Sequence, residues 1–287
     1  MVKVSFSRKL YVVLSTIFFM LLCFLMILPI LKVVAQSLSA NRFIEANQVL
    51  FLPKGFNLDA YAKVLADQGI LNALKNSVIV TLGGTFFNLF LTALLAYPLS
   101  RNEYLFKKQV LLMVTITMIF SVPLIPSYLL VKQLGMDNTL LAVIIPNAIS
   151  GFNFFVMRSF FMGLPGELID SARMDGCSEM RTLWSIILPL SKASMATLGL
   201  FYGVGHWNAL QGPLIFLRSA KYHTLQVKLF QILQYDSGNS IDIGEIMISP
   251  ISIRMTTIVV AMIPILMVYP FLQKYFVKGA TLGSVKE

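Results

Sequence analysis

The chain has 287 residues, 57% of them hydrophobic and only 13% charged, with a formal net charge of +10. A soluble domain carries about 25% charged residues, so this composition excludes an ordinary globular protein. Two cysteines and two histidines exclude a disulfide framework and any metal site of recognisable spacing. No phosphate-binding glycine loop and no nucleophile elbow occurs, so the sequence predicts neither an enzyme nor a chain that binds a cofactor of its own. The basic excess suits anionic lipid headgroups and needs no nucleic-acid partner.

Six windows contain no Asp, Glu, Lys or Arg: 10–31, 76–100, 109–131, 138–157, 193–217 and 255–273. About 20 helical residues cover a bilayer's hydrocarbon core. Lipid offers no partner to open backbone groups, so the windows are predicted to be helices, and the period-two alternation of a membrane barrel is absent. The expected fold class is all-α, a single polytopic domain over 1–287 with six transmembrane helices. The first window follows Lys3, Arg8 and Lys9 and precedes Val33–Ala35, which resembles a cleavage site. It is longer than the roughly 7–15 residues of a signal-peptide core, so it is predicted to be a retained span.

Basic residues set the orientation. The N-terminal tail and the 101–108 loop, with Arg101, Lys107 and Lys108, are rich in them; the 132–137 loop holds only Lys132. Both termini are therefore expected in the cytoplasm, although Arg42, Lys54, Lys63, Lys75, Arg218, Lys221 and Lys228 fall in external segments. The external 32–75 segment contains "FLPKGFNLDAYAKVLA", which predicts a turn at Pro53–Gly55 and a short amphipathic helix lying on the membrane surface. In the second span, Gly83 and Gly84 permit close helix contact.

The third window carries Pro123 and Pro126 near its middle. They predict either a kink whose freed groups neighbouring helices satisfy, or a break beside a cavity. Polar residues mark the fourth window at Asn147 and Asn153, and the fifth at Tyr202, His206, Trp207 and Asn208, the last three near its middle. Such groups avoid lipid, and two readings stand: interhelical hydrogen bonds, or a wet path in which an aromatic ring and amides meet a hydroxyl-rich ligand.

Residues 158–192 interrupt the apolar chain with a charged run. Pro165, Glu167 and Asp170 suit a helix N-terminus, Gly176 a C-terminal cap, Ser178 the start of a second helix, and Pro189 a bend into the fifth span. Ser171 and Ala172 are small enough for another protein's backbone to approach, and Asp170 and Arg173 are spaced to pair. The pattern predicts a rigid helix that docks into a groove of a soluble partner; the alternative is a solvated loop. In the last external segment, 218–254, Asp236, Gly238 and Asn239 lie in a polar turn followed by Ile241, Ile243, Ile246 and Ile248.

The charged run resembles the signature of permease subunits of binding-protein-dependent ABC importers, which reads E-A-A, three residues, G, nine residues, I, one residue, L-P. Asp170, Ser171 and Ala172 stand at the E-A-A positions, followed in register by Gly176, Ile186, Leu188 and Pro189, with Asp and Ser as mild departures. "ALLAYPLSR", "SVPLIPSYLLVKQLGMDNTLLAVIIPNAIS" and "LFYGVGHWNALQGPLIFL" are similar to the carbohydrate-uptake branch, in particular its complex-oligosaccharide and alginate subgroup. The resemblance implies a type I importer permease of the smaller, maltose-transporter kind in the bacterial inner membrane. It implies four further partners: a second homologous permease, a pair of ABC ATPase subunits that hold ATP and Mg, and an extracytoplasmic solute-binding protein. Oligosaccharide is then the substrate. Glu167, Asp170, Ser171, Ala172, Asp175, Gly176, Ile186, Leu188 and Pro189 are expected to couple to the ATPases. Asn147, Asn153, Tyr202, His206, Trp207 and Asn208 would line the substrate path. Asp236, Gly238 and Asn239 would enter the binding protein's cleft. The rival reading is an ion-coupled secondary transporter, which the absence of acids from the six windows disfavours.

Overall fold

The structure, a computed structural model, describes residues 6–120, 122–234 and 249–282. In chain order the helices are α1 (Phe6–Ser37), α2 (Asn41–Glu45), α3 (Asp59–Ala66), α4 (Gln68–Ser100), α5 (Lys107–Ile119), α6 (Leu124–Gln133), α7 (Leu141–Ile144), α8 (Gly151–Met162), α9 (Gly166–Met174), α10 (Glu179–Thr182), α11 (Leu188–Leu190), α12 (Lys192–Trp207), α13 (Gln211–Phe216), α14 (Leu225–Gln234) and α15 (Pro250–Leu282). Among the described residues the only β pairing is an isolated bridge from Ser39 to Phe56. Two compact units result, one from Met1–Gln68 and Leu229–Pro264, the other from Gly69–Lys228 and Ile265–Glu287.

In the first unit α1 buries almost nothing along its apolar length: Leu10 through Leu31 are largely exposed. Only its C-terminal end packs, where Ala35 joins Ile44 and Val49, with Phe43 and Ile251 against them. Ser37 Oγ and Tyr61 Oη share a 2.8 Å hydrogen bond. Gly55 has φ +63°, and a Cβ there would meet the Phe43 ring at 2.9 Å, so the turn requires glycine twice over. Helix α3 buries Ala60 and Val64 in the protein. Leu65 stays exposed on the same helix, so only part of its apolar surface is used in packing within the chain.

The second unit is organised by α4, 33 residues and about 50 Å long. Its core joins Ala93, Ala96, Tyr97 and Leu99 of α4 to Phe154, Met157 and Phe161 of α8, and to Ile169, Leu183, Ile187 and Leu198 beyond them. The C-terminal ends of α4 and α8 cap one another. Arg158 Nε donates to the Leu99 carbonyl at 2.9 Å, and Arg101 Nη2 donates to the Phe161 carbonyl at 2.9 Å. Both carbonyls lie in last turns, where no intrahelical donor remains, so each guanidinium satisfies the other helix's open end.

Among the described residues, three helices are long and apolar enough to cross a membrane: Ser7–Ser37, Gln68–Ser100 and Pro250–Val268. Two bent pairs, Leu141–Asn147 with Gly151–Met162 at 56° and Glu179–Leu190 with Lys192–Trp207 at 85°, raise the number to five. The third charge-free window is a true interruption: α5 stops at Ile119 and α6 starts at Leu124, behind an extended Pro123. Proline carries no N–H and holds its predecessor out of the helical region, so the two segments part. The fifth window also divides, because Pro213 cannot continue a helix through Asn208–Leu210. His206 and Trp207 therefore close the C-terminal end of α12, Asn208 caps it, and α13 resumes three residues later.

Gly84, Gly199 and Gly203 bring α4 and α12 together. A Cβ on Gly84 would lie 2.6 Å from His206 Nε2, one on Gly199 3.3 Å from Leu89, and one on Gly203 3.4 Å from Thr85 Oγ1; Gly83 meets nothing within 4 Å. Gly84→Ala is expected to lower stability in detergent by about 1–3 kcal/mol, the usual cost of overpacking a tight site. Gly83→Ala should leave the unfolding temperature unchanged or raise it. Thermal unfolding of the two purified variants checks the asymmetry.

Candidate functional site

The charged run folds as an elbow. Helix α9 follows Pro165, with Glu167 in its first turn, and ends in a Schellman cap: Cys177 N donates to the Ala172 carbonyl at 2.9 Å and Gly176 N to the Arg173 carbonyl at 3.0 Å. Gly176 takes φ +75°, the left-handed conformation this cap needs. Ser178 then caps α10, its Oγ accepting from Arg181 N at 3.3 Å. Residues Leu183–Ile187 wind as a π turn ahead of Pro189, and the chain bends into α12. A widened turn relieves the clash that the proline ring makes with the preceding turn.

The elbow has two faces. Glu167, Asp170, Ser171, Asp175 and Gly176 are exposed, as is Pro189; Ile186 and Leu188 are half-buried. Ile169 and Ala172 are buried, at 2% and 4% exposure. Ala172 thus faces this chain's own core, which corrects the expectation that a partner's backbone approaches at that residue. The acidic face of α9 is what remains open to a partner.

The expected Asp170–Arg173 pair is replaced by a larger network. Arg173 Nε donates to Glu179 Oε1 at 2.8 Å and its Nη1 to Glu103 Oε1 at 2.9 Å, while Tyr97 Oη donates to Glu179 Oε2 at 2.6 Å. These two carboxylates raise the Arg173 pKa above the ordinary arginine value, and the Arg173 hydrogen bond holds Glu103 below the usual carboxylate range. The side chains are partly exposed, 32% for Arg173 and 69% and 55% for Glu103 and Glu179. Solvent screens pairs so exposed, so the network matters for geometry more than for stability. It borders a cleft of about 390 Å³ walled by Leu94, Tyr97, Pro98, Met180 and Leu183.

A second set of polar groups runs between α4, α8 and α12. Tyr202 Oη lies 2.8 Å from Thr92 Oγ1 and accepts from Ser150 N at 3.0 Å, so it caps the start of α8. Asn88 Nδ2 donates to the Asn147 carbonyl at 3.2 Å and lies 3.0 Å from His206 Nε2, where a neutral ring nitrogen accepts. Thr81 Oγ1, Thr85 Oγ1 and Asn88 Oδ1 are buried with no hydrogen-bond partner among the described residues. Of the residues expected on a substrate path, Tyr202, Trp207 and Asn153 are buried and His206 half-buried. Asn208 is exposed, and the exposed Asn147 joins only through its carbonyl. Asn88, Thr92 and Ser150 were not singled out from the sequence. The signal was there, since Gly84, Asn88 and Thr92 are spaced four apart and so share one stripe of a charge-free helix. Asp236, Gly238 and Asn239 lie outside the described residues.

Residues 89–281 match the family of binding-protein-dependent transport system inner membrane components. The chain belongs to this family. The permease is 38% identical over 273 residues to the polygalacturonan/rhamnogalacturonan transport system permease protein YtcP of Bacillus subtilis (strain 168), covering 94% of this chain and 96% of that one. It is 30% identical over 300 residues to the arabinooligosaccharides transport system permease protein AraQ of the same organism, covering both chains completely. Its structure superposes on a chain of a bacterial ABC transporter involved in the import of the acidic polysaccharide alginate. The TM-score is 0.88, with 25% identity, over 96% of this chain and all of the other. The permease is thus an inner-membrane component of a bacterial ABC transporter, with an all-helical fold.

The cap of α9 is open space around Gly176: a Cβ there meets nothing within 4 Å. Any effect of substitution is therefore conformational. Gly176→Val should cost about 1–2 kcal/mol or more through the left-handed backbone, and Gly176→Asn, which tolerates that region, much less. ATP-dependent uptake by reconstituted complexes should fall in the same order, Val below Asn below wild type.

Proposed function

We propose that this permease forms half of the path of an ATP-driven oligosaccharide importer. A second homologous permease completes the path, a pair of ABC ATPase subunits binds and hydrolyses ATP with Mg, and a binding protein delivers the sugar. The chain acts as one transmembrane domain with six spans and both termini in the cytoplasm. The interrupted pair α5 and α6 counts as one span, about 35 Å of helix in two pieces, and α12 and α13 share another. This chain supplies no catalytic residue; its part is conduction and coupling.

One observation carries the reading. The signature from Asp170 to Pro189 is built as two capped helices with a buried apolar side, Ile169 and Ala172, and an open acidic side, Glu167, Asp170 and Asp175. A rigid helix anchored on one side and charged on the other suits docking into a basic-rimmed groove. Closure of the ATPase pair then draws the elbows inward and rocks the two permeases from inward-open to outward-open, and hydrolysis resets them. Asp236, Gly238 and Asn239 are assigned to the external loop that meets the binding protein.

The substrate class follows the relatives. YtcP is named for polygalacturonan and rhamnogalacturonan, the structural neighbour for the acidic polysaccharide alginate, and AraQ for arabinooligosaccharides. An acidic oligosaccharide is the reading favoured here. A secondary transporter finds no support among the relatives.

Proteoliposomes holding the whole complex test this. Uptake should require ATP and the binding protein, survive collapse of proton and sodium gradients, and favour uronic-acid oligosaccharides over neutral ones. Uptake that stops with the gradients and ignores ATP would overturn the importer reading; equal use of neutral and acidic sugars would overturn the acidic preference.

A further inference from the structure

The joint between α9 and α10 is only Asp175–Ser178, and its centre is a glycine with free space around it. A load applied to the open face of α9 can be lost by pivoting there, unless something spans the joint. The apolar anchor at Ile169 and Ala172 holds α9 down but reaches neither the start of α10 nor the turn after α4 by hydrogen bonds.

One side chain does both. The Arg173 fork sits in the last turn of α9, with Nε on Glu179, the first residue of α10, and Nη1 on Glu103, in the turn that follows α4. The second oxygen of Glu179 is taken by Tyr97 in the last turn of α4. We propose that Tyr97, Arg173, Glu179 and Glu103 form a brace that makes α9, α10 and the end of α4 move as one piece, so that force received by the elbow reaches the spans instead of bending the joint.

Two features favour a brace over ornament. Both Glu179 oxygens and two separate guanidinium nitrogens are engaged, which fixes orientation as well as distance. The arm that begins at Glu179 also returns to α4 deeper in the chain, through Tyr202 on Thr92 and His206 against Asn88 and Gly84. Segment 179–207 and α4 are therefore joined at three levels, and the brace is the one nearest the docking face. These are positioning residues; none is assigned to the sugar or to ATP.

The proposal rests on the coupling role read for the elbow, and the experiment separates the two. The full complex is reconstituted with its binding protein, and sugar taken up per ATP hydrolysed is measured for wild type, Tyr97→Phe, Arg173→Gln and Arg173→Lys. Co-purification of the ATPase subunits and ATP-dependent uptake by wild type are read first; their absence overturns the coupling role itself. Given both, Tyr97→Phe and Arg173→Gln should keep hydrolysing ATP while sugar per ATP falls about fivefold or more. Arg173→Lys, which keeps the charge but loses the two-armed fork, should not restore it. An unchanged ratio in Tyr97→Phe and Arg173→Gln overturns the brace. So does parallel loss of uptake and hydrolysis in both, which marks a folding role.

Discussion

The contact between α4 and the 179–207 arm is the constraint on which the second unit depends. Close approach needs Gly84, Gly199 and Gly203 in facing positions, and the approach in turn seats His206 and Tyr202 against Asn88 and Thr92. Small residues let apolar helices associate where lipid removes the hydrophobic incentive, and the polar pairs then fix register. Several helix ends nearby are satisfied by side chains of the same unit. Tyr202 caps α8, the Asn147 carbonyl finds Asn88, and Arg101 and Arg158 close the two C-terminal ends. The bilayer explains why repair is so thorough, because an open carbonyl in hydrocarbon costs several kcal/mol.

Local chemistry was legible in the sequence. Gly176, Ser178 and Pro189 announce a cap, a new start and a bend, and each is a property of a few neighbouring residues. The membrane class was equally plain, because charge-free stretches of span length have few other uses. What escaped was anything that depends on partners distant in the chain. Arg173 looked like the partner of Asp170 at helical spacing, yet two carboxylates from other turns, Glu103 and Glu179, compete for it and win. Ala172 looked like an open door and is a floor, since its helix faces the core on that side. Arg101 was read as a marker of membrane side, and its role with Arg158 in mutual helix capping needs α4 and α8 placed side by side. The prolines of the third and fifth windows were visible, but whether a proline kinks or divides a helix depends on the neighbours that accept the freed groups.

In the proposed importer, conduction and coupling meet in α4. At one end α4 holds the elbow through Tyr97; midway it carries the Thr81, Thr85 and Asn88 oxygens, which have no hydrogen-bond partner among the described residues, near His206. Unpaired buried groups are costly, and a state in which α4 and α12 part would expose them to water or to sugar hydroxyls. In the importer proposed above, the elbow would thereby govern access to the polar strip, with the energy coming from the ATPase subunits.

If the brace holds, the elbow and the end of α4 travel together. Distances between spin labels report it most directly. In the reconstituted complex, with Cys23 and Cys177 replaced, one label is placed at Asp170 on the open face of α9 and one at Leu105 beyond α4. The separation should stay within about 2 Å between the nucleotide-free and ATP-trapped states, the scale of small packing shifts. A change of about 5 Å or more, the size of a one-turn displacement, would mean that the joint at Gly176 bends and that α9 and α4 move separately.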